Sequence, residues 1–273
     1  DVLYLQYKGY TKIADLEEYI NVKTLWLNNN SLSSISGLST LTNLSTLYLQ
    51  DNIIEKIEGL DELTSLETLI LSSNYIEEIT GLSHLSSLTT IELDHNQIRS
   101  IQSLEGLTCC PSLEIVNISH NKIIFEENEQ QLFDILSKLH NLKVLKMDGN
   151  PFIRSISNYR RKIINVLPQL RFLDDTPITE NDRRLANAWK SGGKNAEIQE
   201  RYKINDENES QRKEGMRDFR RMKRDAVLSN ENARIEDYPE LLSSDDDTKE
   251  ELMKKKYERL AQLEEMNEKK EPG

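Results

Sequence analysis

The sequence predicts an α/β fold, a curved solenoid of short parallel strands followed by a charged helical extension. Three observations predict it. Asparagines recur at positions 30, 52, 74, 96, 121 and 150, in steps of 22, 22, 22, 25 and 29 residues. Each closes one phrase, L-x-x-L-x-L-x-x-N-x-L with other apolar residues allowed and Phe152 last in the sixth copy, as in Leu44, Leu47, Leu49, Asn52 and Ile54. Gly37, Gly59, Gly81 and Gly106 echo the step inside an aliphatic-x-Gly-Leu phrase.

A fixed period with this consensus is a leucine-rich repeat. One repeat cannot bury its own apolar face, so repeats must stack. The L-x-L core is a strand with its leucines turned inward. The asparagine amide is expected to bond the backbone of a neighbouring turn, and an unmet buried partner costs roughly 1–3 kcal/mol. The second half of each copy, such as Ile57 to Leu63, supplies the convex return. In the long fifth copy, Leu132, Phe133, Ile135, Leu136 and Leu139 fall at helical spacing, so a helix replaces the tight turn there.

The ends follow from the same logic. Residues 1–21, with Leu3, Leu5, Ile13, Leu16 and Ile20, read as a degenerate first copy that lacks the asparagine. Repeats fill residues 22–150. Residues 151–177 read as a closing cap, in which Tyr159 to Leu173 supply a helix and a strand to cover the last apolar edge. Residues 178–273 form a charged, mostly helical tail, with Thr179 or Asn181 as N-cap and a break at Gly192-Gly193. A turn is expected near Tyr238-Pro239, then a second helix from Lys249 to about Lys270 whose stripe runs through Met253, Tyr257, Leu260, Leu263 and Met266. That stripe is too thin for a core.

Composition narrows the class. The 273 residues are 37% hydrophobic and 30% charged, with 10 Gly, 6 Pro and 2 Cys, which excludes collagen-like and disulfide-scaffold chains. The one uncharged run longer than 18 residues, 24–50, is interrupted throughout by Asn, Ser and Thr, so no spanning helix is expected. Cys109 and Cys110 are adjacent and cannot staple distant segments, which suits a reducing compartment. The chain opens on Asp1, so a preceding segment is expected. A net charge of −12 disfavours a general nucleic-acid binder.

Catalytic signals are poor, and no cofactor, metal or small-molecule substrate is expected. Ser191-Gly192-Gly193-Lys194 lacks the first glycine, the hydroxyl residue and the preceding strand of a phosphate loop. His95 and His120 precede ladder asparagines in adjacent copies with no third ligand in register, and read as polar residues on a solvated sheet face. Asp174-Asp175 reads as two consecutive strand residues facing opposite ways, unfit for acid–base partnership. The glycosylation sequons at Asn29, Asn43 and Asn117 lie inside repeat frames and read as chance.

Binding signals are stronger. The residue between the last two leucines points away from the core, on the concave face. That column reads Tyr4, Trp26, Tyr48, Ile70, Glu92, Asn117 and Lys146, so four apolar residues, three of them aromatic, stand on adjacent strands. Exposed aromatic stripes mark interfaces. Flanking positions add Lys23, Asn28, Gln50, Asp51, Glu67, Asp94 and His95 as a polar rim. A second candidate is the basic helix Arg212 to Arg224, with Arg212, Lys213, Arg217, Arg220, Arg221, Lys223 and Arg224 around Met216, Phe219 and Met222. It suits an acidic protein, microtubule-like surfaces, RNA or membrane equally.

Positions outside the repeat pattern carry a further likeness. The repeats and cap resemble the 22-residue class typified by a phosphatase regulator. More narrowly, Leu3-Tyr4-Leu5-Gln6-Tyr7-Lys8-Gly9-Tyr10, Leu16-Glu17-Glu18-Tyr19, Leu25-Trp26-Leu27, Gly149-Asn150-Pro151, Asn158-Tyr159-Arg160-Arg161 and Leu173-Asp174-Asp175-Thr176-Pro177 resemble the family of dynein axonemal assembly factor 1. That family usually carries arginine where Thr176 stands. Asp182-Arg183, Ala188-Trp189 and Gly192-Gly193 also fit, so the resemblance covers residues 1 to about 201. It implies a non-enzymatic cytoplasmic factor of ciliated cells that helps preassemble dynein arms, with axonemal dynein subunits or co-chaperones as partners. The rival readings are a resident axonemal protein docking on dynein or microtubules, and a phosphatase-binding regulator.

Overall fold

The computed structural model describes residues 1–125 and 129–229, together with Lys254. The expected turn at Tyr238-Pro239 and the helix from Lys249 lie outside the described residues, apart from Lys254, which is helical. Two compact units are present, Asp1–Glu200 and Arg201–Gly273.

The first unit is an array of repeats around one sheet. Its strands are β1 (Val2–Tyr4), β2 (Thr24–Trp26), β3 (Thr46–Tyr48), β4 (Thr68–Ile70), β5 (Thr90–Glu92), β6 (Ile115–Asn117), β7 (Val144–Lys146), β8 (Phe172–Leu173) and β9 (Thr176–Pro177). They pair in sequence order, all parallel except the final β8–β9 pair. Register is constant, with Leu25, Leu47, Leu69 and Ile91 opposite one another and fully buried. Leucine side chains fill the layer behind the sheet from Leu25 to Leu145, so neighbouring repeats share one continuous core.

The asparagines lock the stack. Asn52 donates from Nδ2 to the Leu49 carbonyl of its own repeat and the Leu27 carbonyl of the previous one, both at 3.0 Å. Its Oδ1 accepts from the Leu32 N–H at 3.0 Å. Asn74, Asn96, Asn121 and Asn150 repeat this pattern. Only an amide offers donor and acceptor together at that reach. On the far side, Gly59 has φ +67°, and a Cβ there would lie 2.3 Å from the Ile35 carbonyl oxygen. The turns therefore stack too closely for a side chain.

The fifth copy carries helix α1 (Gln130–Ser137), which buries Leu132, Ile135 and Leu136 as its spacing requires. Helix α2 (Tyr159–Val166), β8 and β9 close the array. Here one expectation is corrected. Asp174 and Asp175 are not strand residues. With φ of +48° and +60° they form the two-residue turn between β8 and β9, a conformation that aspartate tolerates better than most residues. Asp174 Oδ1 accepts from the N–H groups of Met147 (2.8 Å) and Asp148 (3.1 Å), tying the cap to the last repeat.

Helix α3 (Glu180–Ser229) follows, interrupted at Gly192 and Gly193, where the backbone leaves the helical region. Thr179, not Asn181, caps it. Its hydroxyl accepts from the Asp182 N–H at 3.1 Å, and the Asp182 carboxylate accepts from the Thr179 N–H at 2.9 Å. The first turns belong to the repeat unit. Arg161 pairs with the buried Glu197 at 2.6 Å, and Asn165 donates to the Ala186 carbonyl. No helix among the described residues is long and apolar enough to cross a membrane.

Replacing Asn74 by alanine leaves the Ile54 N–H buried without its acceptor and takes one of two amide donors from each of the Leu49 and Leu71 carbonyls, which keep Asn52 and Asn96. Urea unfolding should show a loss of about 2–4 kcal/mol, whereas Asn43→Ala, which removes one exposed hydrogen bond, should cost under about 1 kcal/mol. Burial, as the largest cause, raises the Asp174 carboxyl above its usual 3.8. A raised carboxyl stabilises the fold most below that value and loses its contribution as pH climbs through the folded value. Melting curves of Asp174→Asn should therefore lack that part of the decline, and at pH 7 the variant should melt no lower than the parent chain.

Candidate functional site

Three-residue strands make the sheet's open face easy to describe. In β2 to β7 the middle residue is buried and its neighbours are half-buried and outward. The expected column forms in register: Tyr4 against Trp26, Trp26 against Tyr48, Tyr48 against Ile70, and Ile70 against Glu92. Asn117 and Lys146 continue it.

The aromatic end is ordered by stacking. Trp26 and Tyr48 lie with ring centroids 3.6 Å apart and planes 9° apart, and Tyr4 stands 6.3 Å from Trp26 at 23°. Rings stacked along the row of strands turn their edges away from the sheet. Tyr4 is 61% exposed, and Trp26, Tyr48 and Ile70 are half-buried.

The polar end is ordered by charge. Glu92 is half-buried, and among the described residues its carboxylate has no hydrogen bond or ion pair. Burial first, then neighbouring Asp94, raises its pKa above 4.5, against a smaller lowering by Lys146. Lys146 is engaged elsewhere, 2.5 Å from Asp175, and that hydrogen bond is the first cause of its raised pKa. Asp94 is held from three sides: Oδ1 accepts from Ser72 Oγ (2.5 Å) and Asn117 Nδ2 (3.1 Å), and Oδ2 lies 3.0 Å from His95 Nδ1.

The rim differs from expectation in three respects. Asn28 is buried, only 8% exposed, and its Oδ1 accepts no hydrogen bond from the described residues. The same holds for Oε1 of Gln6 and Gln50, one strand to either side. Asp51, His95 and His120 are exposed, yet they sit in left-handed turns just beyond the strands, with φ of 52–57°, and not on the sheet face. The turn explains their type, because polar residues suit a position before each asparagine that requires positive φ. His95 and His120 stack at 4.5 Å, and no group of three or more metal-binding side chains forms among the described residues.

A column went unread in the sequence. Thr24, Thr46, Thr68 and Thr90 stand in register beside the aromatic column on the same face. The alternation that selects Trp26 also selects the residue two before it.

The second candidate lies in the outer part of α3, in the other unit. Arg212, Lys213, Arg217, Arg220 and Arg221 are exposed, beside Phe219 (62%) and Met222 (70%). Lys223 and Arg224 are half-buried and already engaged, which removes them from a free basic surface. Lys213 also pairs with Glu209 at 2.7 Å, and Arg221 with Asp218 at 3.1 Å. Helix partners thus neutralise part of this surface.

Comparison with known proteins agrees with the geometry. A leucine-rich-repeat profile matches residues 66–202, and a profile for two copies of leucine-rich repeats matches residues 20–62. The leucine-rich repeat-containing protein ODA7 of Chlamydomonas reinhardtii is 50% identical over 209 residues, 77% of this chain and 48% of that protein. The dynein axonemal assembly factor 1 homolog of Aedes aegypti is 54% identical over 202 residues, 73% of this chain and 18% of that protein. Human dynein axonemal assembly factor 1 is 41% identical over 92 residues, 34% of this chain and 12% of that protein. The chain therefore spans half or less of the length of these relatives. Among solved structures, an internalin from Listeria monocytogenes matches with a TM-score of 0.51 at 22% identity, over 63% of this chain and 47% of that one, a likeness of fold alone. With the repeat profile matching residues 66–202, the chain belongs to the leucine-rich-repeat family, and proteins named dynein axonemal assembly factor 1 are among its homologues.

Proposed function

We propose that this chain is a non-enzymatic protein-binding scaffold that acts in the cytoplasmic preassembly of axonemal dynein arms. The names of its relatives supply the process. The observation that carries the mechanism is the stacked row of Tyr4, Trp26 and Tyr48 on the open face of the sheet. The fold needs inward leucines, not outward rings, and polar residues suit a solvated sheet face better. Aromatic side chains at such a place supply large apolar area at low entropic cost, the usual character of a binding hot spot. The partner is a dynein subunit or a chaperone that holds one, and the half-buried polar surface around the rings forms the rim.

Trp26→Ala combined with Tyr48→Ala tests this reading. Binding to the captured dynein subunit should weaken by about 2 kcal/mol or more, while the melting temperature falls by no more than a few degrees. In ciliated cells that carry only the variant, axonemes should be short of dynein arms although the variant accumulates normally. Full dynein content in those axonemes would defeat the proposal.

A further inference from the structure

We infer that the occupant of the open face is a helical segment of the partner protein, with an apolar anchor on the Trp26–Tyr48 stack and a lysine or arginine meeting Glu92. This rests on the docking role proposed above and adds the chemistry of what docks.

The helix follows from the backbone. Strands β2 to β7 are paired on both sides, so the stretch from Trp26 to Lys146 offers no free strand edge to an extended peptide, and the open side of β1 lies beyond Tyr4. A segment laid across it must satisfy its own main chain, which a helix does.

The cation follows from Glu92. It is a half-buried carboxylate beside Ile70, with no hydrogen bond or ion pair among the described residues. Two strands away stands Lys146, which could have neutralised it, but Lys146 is bound to Asp175. Asp94 beside it is engaged on both oxygens. The amide oxygens of Gln6, Asn28 and Gln50 that lack partners are also acceptors. The cations on this face do not pair with Glu92, because Lys146 is held by Asp175 and Lys23 stands three strands away at the margin. At its margins exposed Asp51 and Glu67 outnumber exposed Lys23 and repel phosphate, which sets nucleic acid aside. A carboxylate left half-desolvated costs stability, and a residue that costs stability is characteristic of a binding surface.

The spacing is fixed by the sheet. Glu92 stands two strands from Tyr48 and three from Trp26, about 10 to 14 Å at roughly 4.8 Å per strand. A helix rises 1.5 Å per residue, so anchor and cation lie about seven or eight residues apart, two turns along one side.

Two labelled helical peptides of about 18 residues test the inference, each with leucine and phenylalanine anchors one turn apart. One carries arginine about seven residues beyond the anchor, the other glutamate. Fluorescence anisotropy should show the arginine peptide binding the whole chain about tenfold more tightly, equal to 1.4 kcal/mol. Glu92→Gln should reduce that preference to within about twofold, and Glu92→Lys should invert it. Both variants should melt no lower than the parent chain at pH 7. Equal binding of the two peptides, or a preference that survives Glu92→Lys, overturns the charge assignment. If Trp26→Ala still abolishes binding of both, the docking role stands without it. If Trp26→Ala leaves binding unchanged, the docking role falls as well. Failure of the arginine peptide to bind at about 1 mM, or concentration-dependent dimerisation that Trp26→Ala abolishes, also overturns the inference, the latter by making a second copy the occupant.

Discussion

Everything in the repeat unit depends on the asparagine that ends each short strand. Its amide holds two carbonyls and one N–H across two consecutive repeats, and the bond set recurs from Asn52 to Asn150. Parallel strands of three residues have few hydrogen bonds of their own. The side-chain ladder supplies what the main chain lacks, and it fixes the distance and register from one repeat to the next. The glycines do the same on the far side, where turns approach too closely for a Cβ.

Fixed register has a consequence for function. Once Leu25, Leu47 and Leu69 are locked behind the sheet, Trp26, Tyr48 and Ile70 must fall in one row in front of it. The fold dictates where these side chains stand but not what they are. Their identity is free to serve binding, and here the row passes from stacked rings through an isoleucine to a carboxylate. The aromatic end supplies apolar area, and the carboxylate end supplies direction, since a charge discriminates orientation more than it adds affinity.

Much of this was legible in the sequence, because a repeat states its structure several times. The period located every strand from β2 to β7, the leucine spacing gave α1, and Gly192-Gly193 marked the break in α3. What was illegible depended on single contacts. The burial of Asn28 arises from packing that no pattern encodes. Asp174 and Asp175 continue the alternation of β8 by composition, yet a two-residue turn sets both at positive φ. The left-handed turns holding Asp51 and His95 lie one residue past the rim column, a distinction that only backbone geometry makes. The threonine column was present in the same alternation and needed only a second reading of it. Lys223 and Arg224 look like their exposed neighbours in sequence, and only the structure separates them.

The central claim is that the rings stay open to solvent until a partner covers them. Acrylamide quenching of Trp26 fluorescence, in a Trp189→Phe background that leaves one indole, measures this directly. The account predicts ready quenching in the free chain and strong protection once the dynein-subunit complex forms. An indole already protected in the free chain, or one quenched equally in the complex, would contradict it.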